Sequence, residues 1–232
     1  MIFFEIRFCK GGIIMKLQVK DPGSALTHFI AMIAALIAMI PLLYHASKAP
    51  EKLYLGALSI FIFSMIFLYA ASTIYHTFDI SEHVNKILKK IDHMMIFVLI
   101  AGTYTPVCLI ALGKSSGYRL LALVWGIAIA GILINAFFIN CPKWFSSCIY
   151  IAMGWVCLTA FKEIYTALPA KAFFLLLLGG IIYTIGGVIY ALKLPIFQHC
   201  PKNFGNHEIF HLFVMGGSFC HYLVMYQFVA AF

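Results

Sequence analysis

Seven long apolar segments dominate this sequence, at roughly residues 25–45, 54–76, 93–112, 119–139, 145–165, 170–192 and 208–230. Each has about 20 residues, the length that an α-helix needs to cross the hydrocarbon core of a bilayer. A transmembrane β-barrel would instead show short strands with alternating apolar and polar residues, and the sequence has no such alternation. We therefore predict an all-α membrane protein, a seven-transmembrane helix bundle.

The composition supports a membrane protein and excludes several other classes. Hydrophobic residues make up 63% of the chain and charged residues only 10%, whereas about 25% of the residues in a typical soluble domain are charged. So few charges could not cover a water-exposed surface, which excludes an ordinary soluble enzyme and a disordered chain. The net charge of +8 does not indicate nucleic-acid binding, because on an apolar chain it is typical of loops beside anionic headgroups. Membrane lipids are the expected partners, and a homo-oligomer remains open.

The distribution of basic residues predicts the orientation in the membrane. If the N-terminus is cytoplasmic, ten of the 16 Lys and Arg residues fall in cytoplasmic segments and six in external loops. The positive-inside rule then places the N-terminus in the cytoplasm and the C-terminus outside. We divide the chain into a cytoplasmic N-terminal segment, residues 1–23, and a seven-helix transmembrane domain, residues 24–232. The predicted location is the plasma (inner) membrane.

Two histidines four residues apart begin the seventh segment, within the sequence HEIFH of residues 207–211. This spacing puts His207 and His211 on one helical face, about 6 Å apart along the axis. Such a pair suits two ligands of one metal ion. Ser72 and His76 share a face of the second segment by the same four-residue step.

The predicted topology brings the unusual polar residues to one depth. His76 ends the second helix, Asp92 begins the third, and the histidine pair begins the seventh. Three converging histidines with an open fourth position are typical of a catalytic zinc site. Asp92 would then orient a ligand or accept a proton from water at the site, and Ser72 would orient that water. His93 lies about 100° from Asp92 around the helix, so we expect only Asp92 to face the site.

Other interpretations of these residues remain open. Histidines in a helix bundle are commonly core residues that hydrogen-bond to their neighbours. We interpret four of them in this way: His28, His45, His83 and His199. His221 lies ten residues beyond His211, about 15 Å along the helix, so it is too far away for the same ion. We predict that it donates an interhelical hydrogen bond.

Residues 207–211 also match the H-E-x-x-H signature of zinc proteases, in which Glu208 would be the general base.

Several motifs occur in order: DPGSALTH at residues 21–28, Ser72-x-x-x-His76, Asp92, and His207-x-x-x-His211 followed ten residues later by His221. This combination resembles the hemolysin III family, the bacterial branch of the progestin and adipoQ receptor superfamily, which includes the adiponectin receptors. The likeness extends over essentially residues 20–232.

The resemblance implies seven transmembrane helices, a cytoplasmic N-terminus and a zinc ion near the inner leaflet. By match to the family motifs, the zinc ligands would be His76, His207 and His211, with Asp92 and Ser72 around a bound water. Receptor-branch relatives are associated with hydrolysis of lipid amides such as ceramide, and bacterial members carry a haemolysin name and are linked to membrane homeostasis. We expect a zinc-dependent, ceramidase-like hydrolase of lipid amides. The alternatives are a membrane-lytic or homeostatic protein with structural zinc and an intramembrane metalloprotease.

Overall fold

The computed structural model describes residues 19–112, 114–137, 143–192 and 205–231. Within these ranges the regular secondary structure is entirely helical. The helices are α1 (Pro22–Lys48), α2 (Lys52–Thr77), α3 (Glu82–Pro106), α4 (Lys114–Phe137), α5 (Lys143–Gly154), α6 (Phe161–Ala167), α7 (Ala170–Leu192) and α8 (Asn206–Gln227). Three short helical turns continue or join them: a π-helical turn, Val107–Ala111, and two 3-10 turns, Trp155–Ala160 and Val229–Ala231.

Seven helical spans in the described ranges are long and apolar enough to cross a membrane. The fifth, Trp144–Ala167, consists of α5, a 3-10 turn and α6, and the other six correspond to α1 to α4, α7 and α8. The third span continues from α3 through the π-helical turn, and the seventh continues from α8 through the last 3-10 turn. The predicted seven-transmembrane bundle is confirmed. The protein is a multi-pass integral membrane protein of the plasma membrane, and its outer surface contacts lipid. Large apolar side chains such as Ile37, Ile40 and Phe137 are accordingly exposed on that surface.

Some predictions fall on residues that the structure does not describe. They concern most of the N-terminal segment, residues 1–23, and His199. The orientation of the termini, the division into segment and domain, and the homo-oligomer stay predictions.

Six spans form a ring around a long cavity. α2 packs between α1 and α3, α8 packs between α1 and α7, and α5 contacts both α3 and α7, which closes the ring. α4 packs against α3. The cavity is lined mainly from α2, α3, α5, α7 and α8, and α1 contributes His28. The lining includes Leu68, Ile96, Tyr150, Leu176 and Val214. The ring of helices therefore encloses a space inside the bundle. Polar side chains at one end of the bundle can reach this space.

Local chemistry sets the helix boundaries at that end. α1 begins at Pro22, whose fixed φ suits the first turn of a helix. α3 begins after Ser81, whose hydroxyl accepts a hydrogen bond from the backbone N–H of Val84 at 3.3 Å. α8 begins after Gly205, whose backbone N–H donates to the Glu208 carboxylate at 2.8 Å. These signals fix the residues at which three helices begin.

Candidate metal centre

Three histidines from two helices meet at one end of the bundle. One ring nitrogen each of His76, His207 and His211 lies within 4.8 Å of the other two. The Nε2 atoms of His76 and His207 are 3.1 Å apart. In a tetrahedral zinc site with Zn–N bonds of about 2.0–2.1 Å, ligand nitrogens lie about 3.3 Å apart. The spacing of this three-histidine cluster therefore fits one divalent metal ion.

The cluster is brought together by the geometry of α8 and by backbone hydrogen bonds between the end of α2 and the start of α1. The four-residue step puts two of its rings on one face of α8, with ring centroids 4.4 Å apart. The third ring comes from the last turn of α2, which is joined to the start of α1 by backbone hydrogen bonds. Asp21 N–H donates to His76 O at 2.9 Å, and Lys20 N–H donates to Thr77 O at 3.3 Å. The chain before α1 thus fixes the depth at which His76 meets α8.

Asp21 also holds the His76 ring in a defined orientation. Its Oδ2 atom lies 2.9 Å from His76 Nδ1. This hydrogen bond is the main reason why the pKa of the Asp21 carboxyl lies below its ordinary value, so Asp21 accepts as a carboxylate. His76 Nδ1 then carries the proton, and Nε2 keeps the lone pair that a metal would use. A carboxylate behind a histidine in this way is common in metal sites, because it fixes the tautomer and orientation of the ring.

Thr27 does the same for the His211 ring from within α1. Its Oγ1 atom lies 3.0 Å from His211 Nδ1, and its own proton is donated to the backbone carbonyl of Gly23 or Ser24, at 3.0 and 2.9 Å. The threonine oxygen therefore accepts from His211 Nδ1–H, since a hydroxyl has only one proton to give. This assignment leaves Nε2 of His211 as the ligand atom. Two rings of the cluster thus have second-nitrogen partners of the kind found in metal sites.

Asp92 and Ser72 lie close to the cluster. Both residues are buried, with 8% and 1% exposure respectively, and both line the cavity together with His207 and His211. The Asp92 carboxylate lies beside the Ser72 side chain and within electrostatic range of His76. All five residues that the sequence singled out are therefore brought to one place, as the predicted topology requires.

His93 lies next to Asp92 on α3 but outside the three-histidine cluster. It lines the same cavity as Asp92, and the expectation that only Asp92 faces the site stays a prediction. His93 Nδ1 also lies 2.8 Å from Lys89 O of its own helix, and Tyr150 OH donates to His93 O at 3.2 Å. These contacts anchor His93 on α3 and do not place it in the cluster.

His28 is the residue that sequence reasoning undervalued. It is buried in the core as expected, but neither of its ring nitrogens has a hydrogen-bond partner in the described part of the chain, so the predicted hydrogen bonds are wrong. Its ring stacks on His211, with centroids 3.5 Å apart and planes 6° apart, and it lines the cavity. The sequence did contain a signal for His28. It follows Asp21 by seven residues, about two helical turns, so the two residues share one face of the helix.

Both carboxylate oxygens of Glu208 accept structural hydrogen bonds. One carboxylate oxygen accepts from Gly205 N–H at 2.8 Å and the other accepts from the Ser24 hydroxyl. The first contact satisfies a backbone donor at the start of α8, and the second ties that start to α1. Glu208 therefore serves to hold α8 against α1, which is a different task from activating water.

Comparison with known proteins adds the family. A family model described as "Haemolysin-III related" matches residues 17–222. The chain belongs to this hemolysin III family. It is 40% identical to Hemolysin-3 of Bacillus cereus over 200 residues, which cover 86% of this chain and 87% of that protein. It is 36% identical to the Hemolysin-3 homolog of Bacillus subtilis (strain 168) over 199 residues, or 86% and 89% of the two chains.

A eukaryotic protein is similar to this chain over a shorter stretch. The ADIPOR-like receptor IZH2 of Saccharomyces cerevisiae is 38% identical over 80 residues, which cover 33% of this chain and 24% of that receptor. The resemblance predicted from the ordered motifs is thus confirmed for the family.

Proposed function

We propose that the three-histidine cluster binds zinc and that this hemolysin III protein is a zinc-dependent hydrolase of lipid amides. The observation that carries the proposal is the convergence of three imidazoles, two of them held by Asp21 and Thr27 through their second nitrogens. Neutral imidazole is a preferred zinc ligand, and three protein ligands leave one position for water or substrate, as in catalytic sites. In the predicted orientation the site lies near the cytoplasmic leaflet.

The cavity beside the cluster suits the apolar part of a lipid. Apolar side chains such as Leu68, Ile96 and Val214 form much of its wall, and Asp92 and Ser72 stand at the end near the histidines. An apolar pocket with a few converging polar groups is the usual form of a ligand site. A lipid with its amide at the polar end and its chain along the wall would match this distribution.

The reaction adds water across the amide bond. The water oxygen bonds to the carbonyl carbon, the C–N bond breaks, and a proton moves to the nitrogen, which yields a carboxylic acid and an amine. When bound, zinc polarises the carbonyl oxygen and lowers the pKa of water at the site to about 7. Asp92 takes the proton from water and passes it to the leaving nitrogen, and Ser72 orients the water. His28, which stacks on His211, lines the cavity beside these groups.

The direct test uses purified, zinc-loaded protein and defined lipids. Zinc per chain is measured first, and the protein is then incubated with ceramide and with lipids extracted from the host membrane. We expect fatty acid and amine in equal amounts by mass spectrometry, and no product after the zinc is removed by a chelator. Protein with full zinc occupancy that cleaves no lipid amide would refute the hydrolase.

A membrane-lytic or homeostatic protein with structural zinc is the second candidate. It is favoured by one observation: a relative that shares 200 aligned residues with this chain bears the name Hemolysin-3. Leakage of a dye from liposomes separates the two functions. Leakage that is the same for wild type and His76→Ala would favour lysis and make the metal structural. Protein that releases no dye but cleaves amides would favour the hydrolase.

The orienting carboxylate permits a graded test of the metal site. Asp21→Asn should weaken zinc binding by about 10- to 100-fold, because a neutral amide holds the His76 ring less firmly than a carboxylate. The zinc affinity is measured by competition with a chromophoric chelator. Asp79→Asn is the matched control, since that exposed carboxylate binds Asn85 at 2.5 Å, outside the cluster. Equal zinc affinity in both variants would show that Asp21 does not support the ligand.

A further inference from the structure

The cavity beside the three-histidine cluster has a deep end and an end near the start of α3. At the deep end, His221 Nε2 lies 3.1 Å from the carbonyl oxygen of Leu176. Because a carbonyl only accepts, the ring donates, which confirms the predicted interhelical hydrogen bond. At the other end, three lysines of α3 line the cavity: Lys86, Lys89 and Lys90. The proposed hydrolysis uses none of these lysines.

The start of α3 lies at the level of the lipid headgroups. The third span, Glu82–Ala111, has 30 residues, or about 45 Å of helix, whereas the hydrocarbon core is about 30 Å thick. The apolar part of the span comes after Asp92, so the surplus length falls at its polar beginning. The three lysines therefore have their ammonium groups at the polar edge of the bilayer, where lysine side chains extend towards the headgroups.

Lys89 differs from the other two lysines because no group of the protein pairs with its charge. Lys86 pairs with Glu82 at 2.6 Å, and Lys90 donates to the backbone carbonyl of Ala136 at 2.6 Å. The Lys89 ammonium makes no hydrogen bond or ion pair with any residue that the structure describes. Lys89 is half-buried and lines the cavity. Its charge is therefore available to an anionic group at this end of the cavity.

Two serines of α5 line the cavity at the same depth as Lys89. The Tyr150 hydroxyl donates to the backbone carbonyl of His93 at 3.2 Å, which fixes the level of α5 relative to α3. Ser146 and Ser147 precede Tyr150 by four and three residues, and Lys89 precedes His93 by four. Both groups thus lie about one helical turn closer to the membrane surface. All three side chains line the cavity, so one ammonium and two hydroxyls are at one level.

Asn135 of α4 brings an amide to the same end of the cavity. It lines the cavity and precedes Ala136, the residue that accepts the hydrogen bond from Lys90. The ammonium, hydroxyl and amide groups from three helices can all donate hydrogen bonds. The nearby carboxylate of Glu82 is already bound by Lys86. A phosphate group is complementary to such a set of donors, because its oxygens carry negative charge and accept strong hydrogen bonds in several directions.

We propose that Lys89, Ser146 and Ser147 bind the phosphate group of an anionic lipid whose apolar chain lies in the cavity. The inference rests on the proposed function for the rest of the ligand, an amide at the three-histidine cluster. Lys89 precedes Asp92 by three residues, about 5 Å along the helix, so the phosphate lies on the headgroup side of the amide. The substrate class is a lipid amide with a phosphate in its headgroup. A neutral lipid amide would leave the Lys89 ammonium without a partner.

Binding of matched single-chain probes to the purified full-length protein tests this site. The probes are hexadecyl phosphate and hexadecanol, which share one chain and differ in the phosphate. Neither has an amide, so binding is measured without turnover, by native mass spectrometry in a neutral sugar detergent. We expect hexadecyl phosphate to bind about 10-fold more tightly than hexadecanol, as a hydrogen bond to a charged group allows. Lys89→Gln should remove most of this preference, and Lys89→Arg should keep it.

Lys86→Gln is the matched control, since it removes the same charge from the same helix but from a lysine that Glu82 already binds. It should keep the preference for hexadecyl phosphate. An equal loss in Lys86→Gln and Lys89→Gln would indicate a general attraction of anions to the basic surface and would overturn the proposal. Equal binding of the two probes by the wild type would overturn it as well.

Two further measurements identify the source of the phosphate and the group that binds it. Inorganic phosphate at the same concentration should not displace hexadecyl phosphate, since it has no chain to bury against the apolar wall. Equal competition would assign the site to free phosphate and refute the lipid. Binding is also repeated after a chelator has removed any metal, because zinc itself could bind a phosphate. A preference that disappears with the metal would overturn the role of Lys89.

The outcomes for this site and for the proposed function can be told apart. Hydrolysis of lipid amides by a protein that shows no preference for hexadecyl phosphate would refute the phosphate site alone. The preference in a zinc-loaded protein that cleaves no lipid amide would refute the proposed function alone.

Discussion

Replacing His211 by alanine is expected to remove zinc from the protein and to lower lipid-amide turnover by more than about 100-fold. Loss of a group that merely orients a ligand costs about 10- to 100-fold in metal affinity or activity, and loss of a ligand itself should exceed this. His211 is one of three converging rings, and its Nδ1 is already engaged by Thr27. Zinc per chain, measured by elemental analysis, is the primary readout.

Two further variants keep this prediction falsifiable. His211 is buried and stacks on His28, so alanine leaves a gap that could destabilise the bundle. His211→Cys replaces one zinc ligand by another and should keep the metal, which separates ligand loss from misfolding. His83 was expected in the core, but the structure leaves it exposed at the start of α3, so that prediction is wrong. His83→Ala should therefore leave zinc and turnover unchanged. A His211→Ala protein that folds and retains one zinc per chain would disprove the metal site.

Replacing Asp92 by asparagine is expected to leave zinc in place and to lower turnover by about 10²- to 10⁴-fold, the usual contribution of a general base. Asparagine has nearly the same shape as aspartate but cannot accept a proton from water at neutral pH. Asp92 is buried beside the cavity and near His76 without belonging to the three-histidine cluster. Asp92→Asn should therefore keep its zinc and lose turnover, whereas His211→Ala should lose both.

Glu208→Gln is the decisive comparison for Asp92→Asn. Glu208 accepts hydrogen bonds from Gly205 and Ser24, so its loss should reduce stability modestly and leave zinc-dependent lipid hydrolysis intact. An intramembrane protease would behave in the opposite way, with Glu208→Gln inactive against peptides and Asp92→Asn active. Unchanged amide turnover in Asp92→Asn would remove Asp92 from the reaction.

The membrane architecture was largely predictable because the bilayer permits few solutions. A chain in lipid must satisfy its backbone hydrogen bonds internally, so long apolar segments become helices. The interruption of the fifth span by a 3-10 turn at Trp155–Ala160 was not predicted. Its departure from an α-helix is a matter of backbone geometry within an apolar segment, and hydropathy carries no signal for it.

The sequence by itself determined which residues could converge. The four-residue step of His207 and His211 is local geometry, and the alternation of spans puts His76 and Asp92 at the same end whichever way the chain crosses the membrane. Only the tertiary structure decided what surrounds them. Thr27 and His211 are 184 positions apart, and their contact exists because α1 packs against both α2 and α8. Side-chain contacts between helices depend on that packing, which periodicity and hydropathy do not encode.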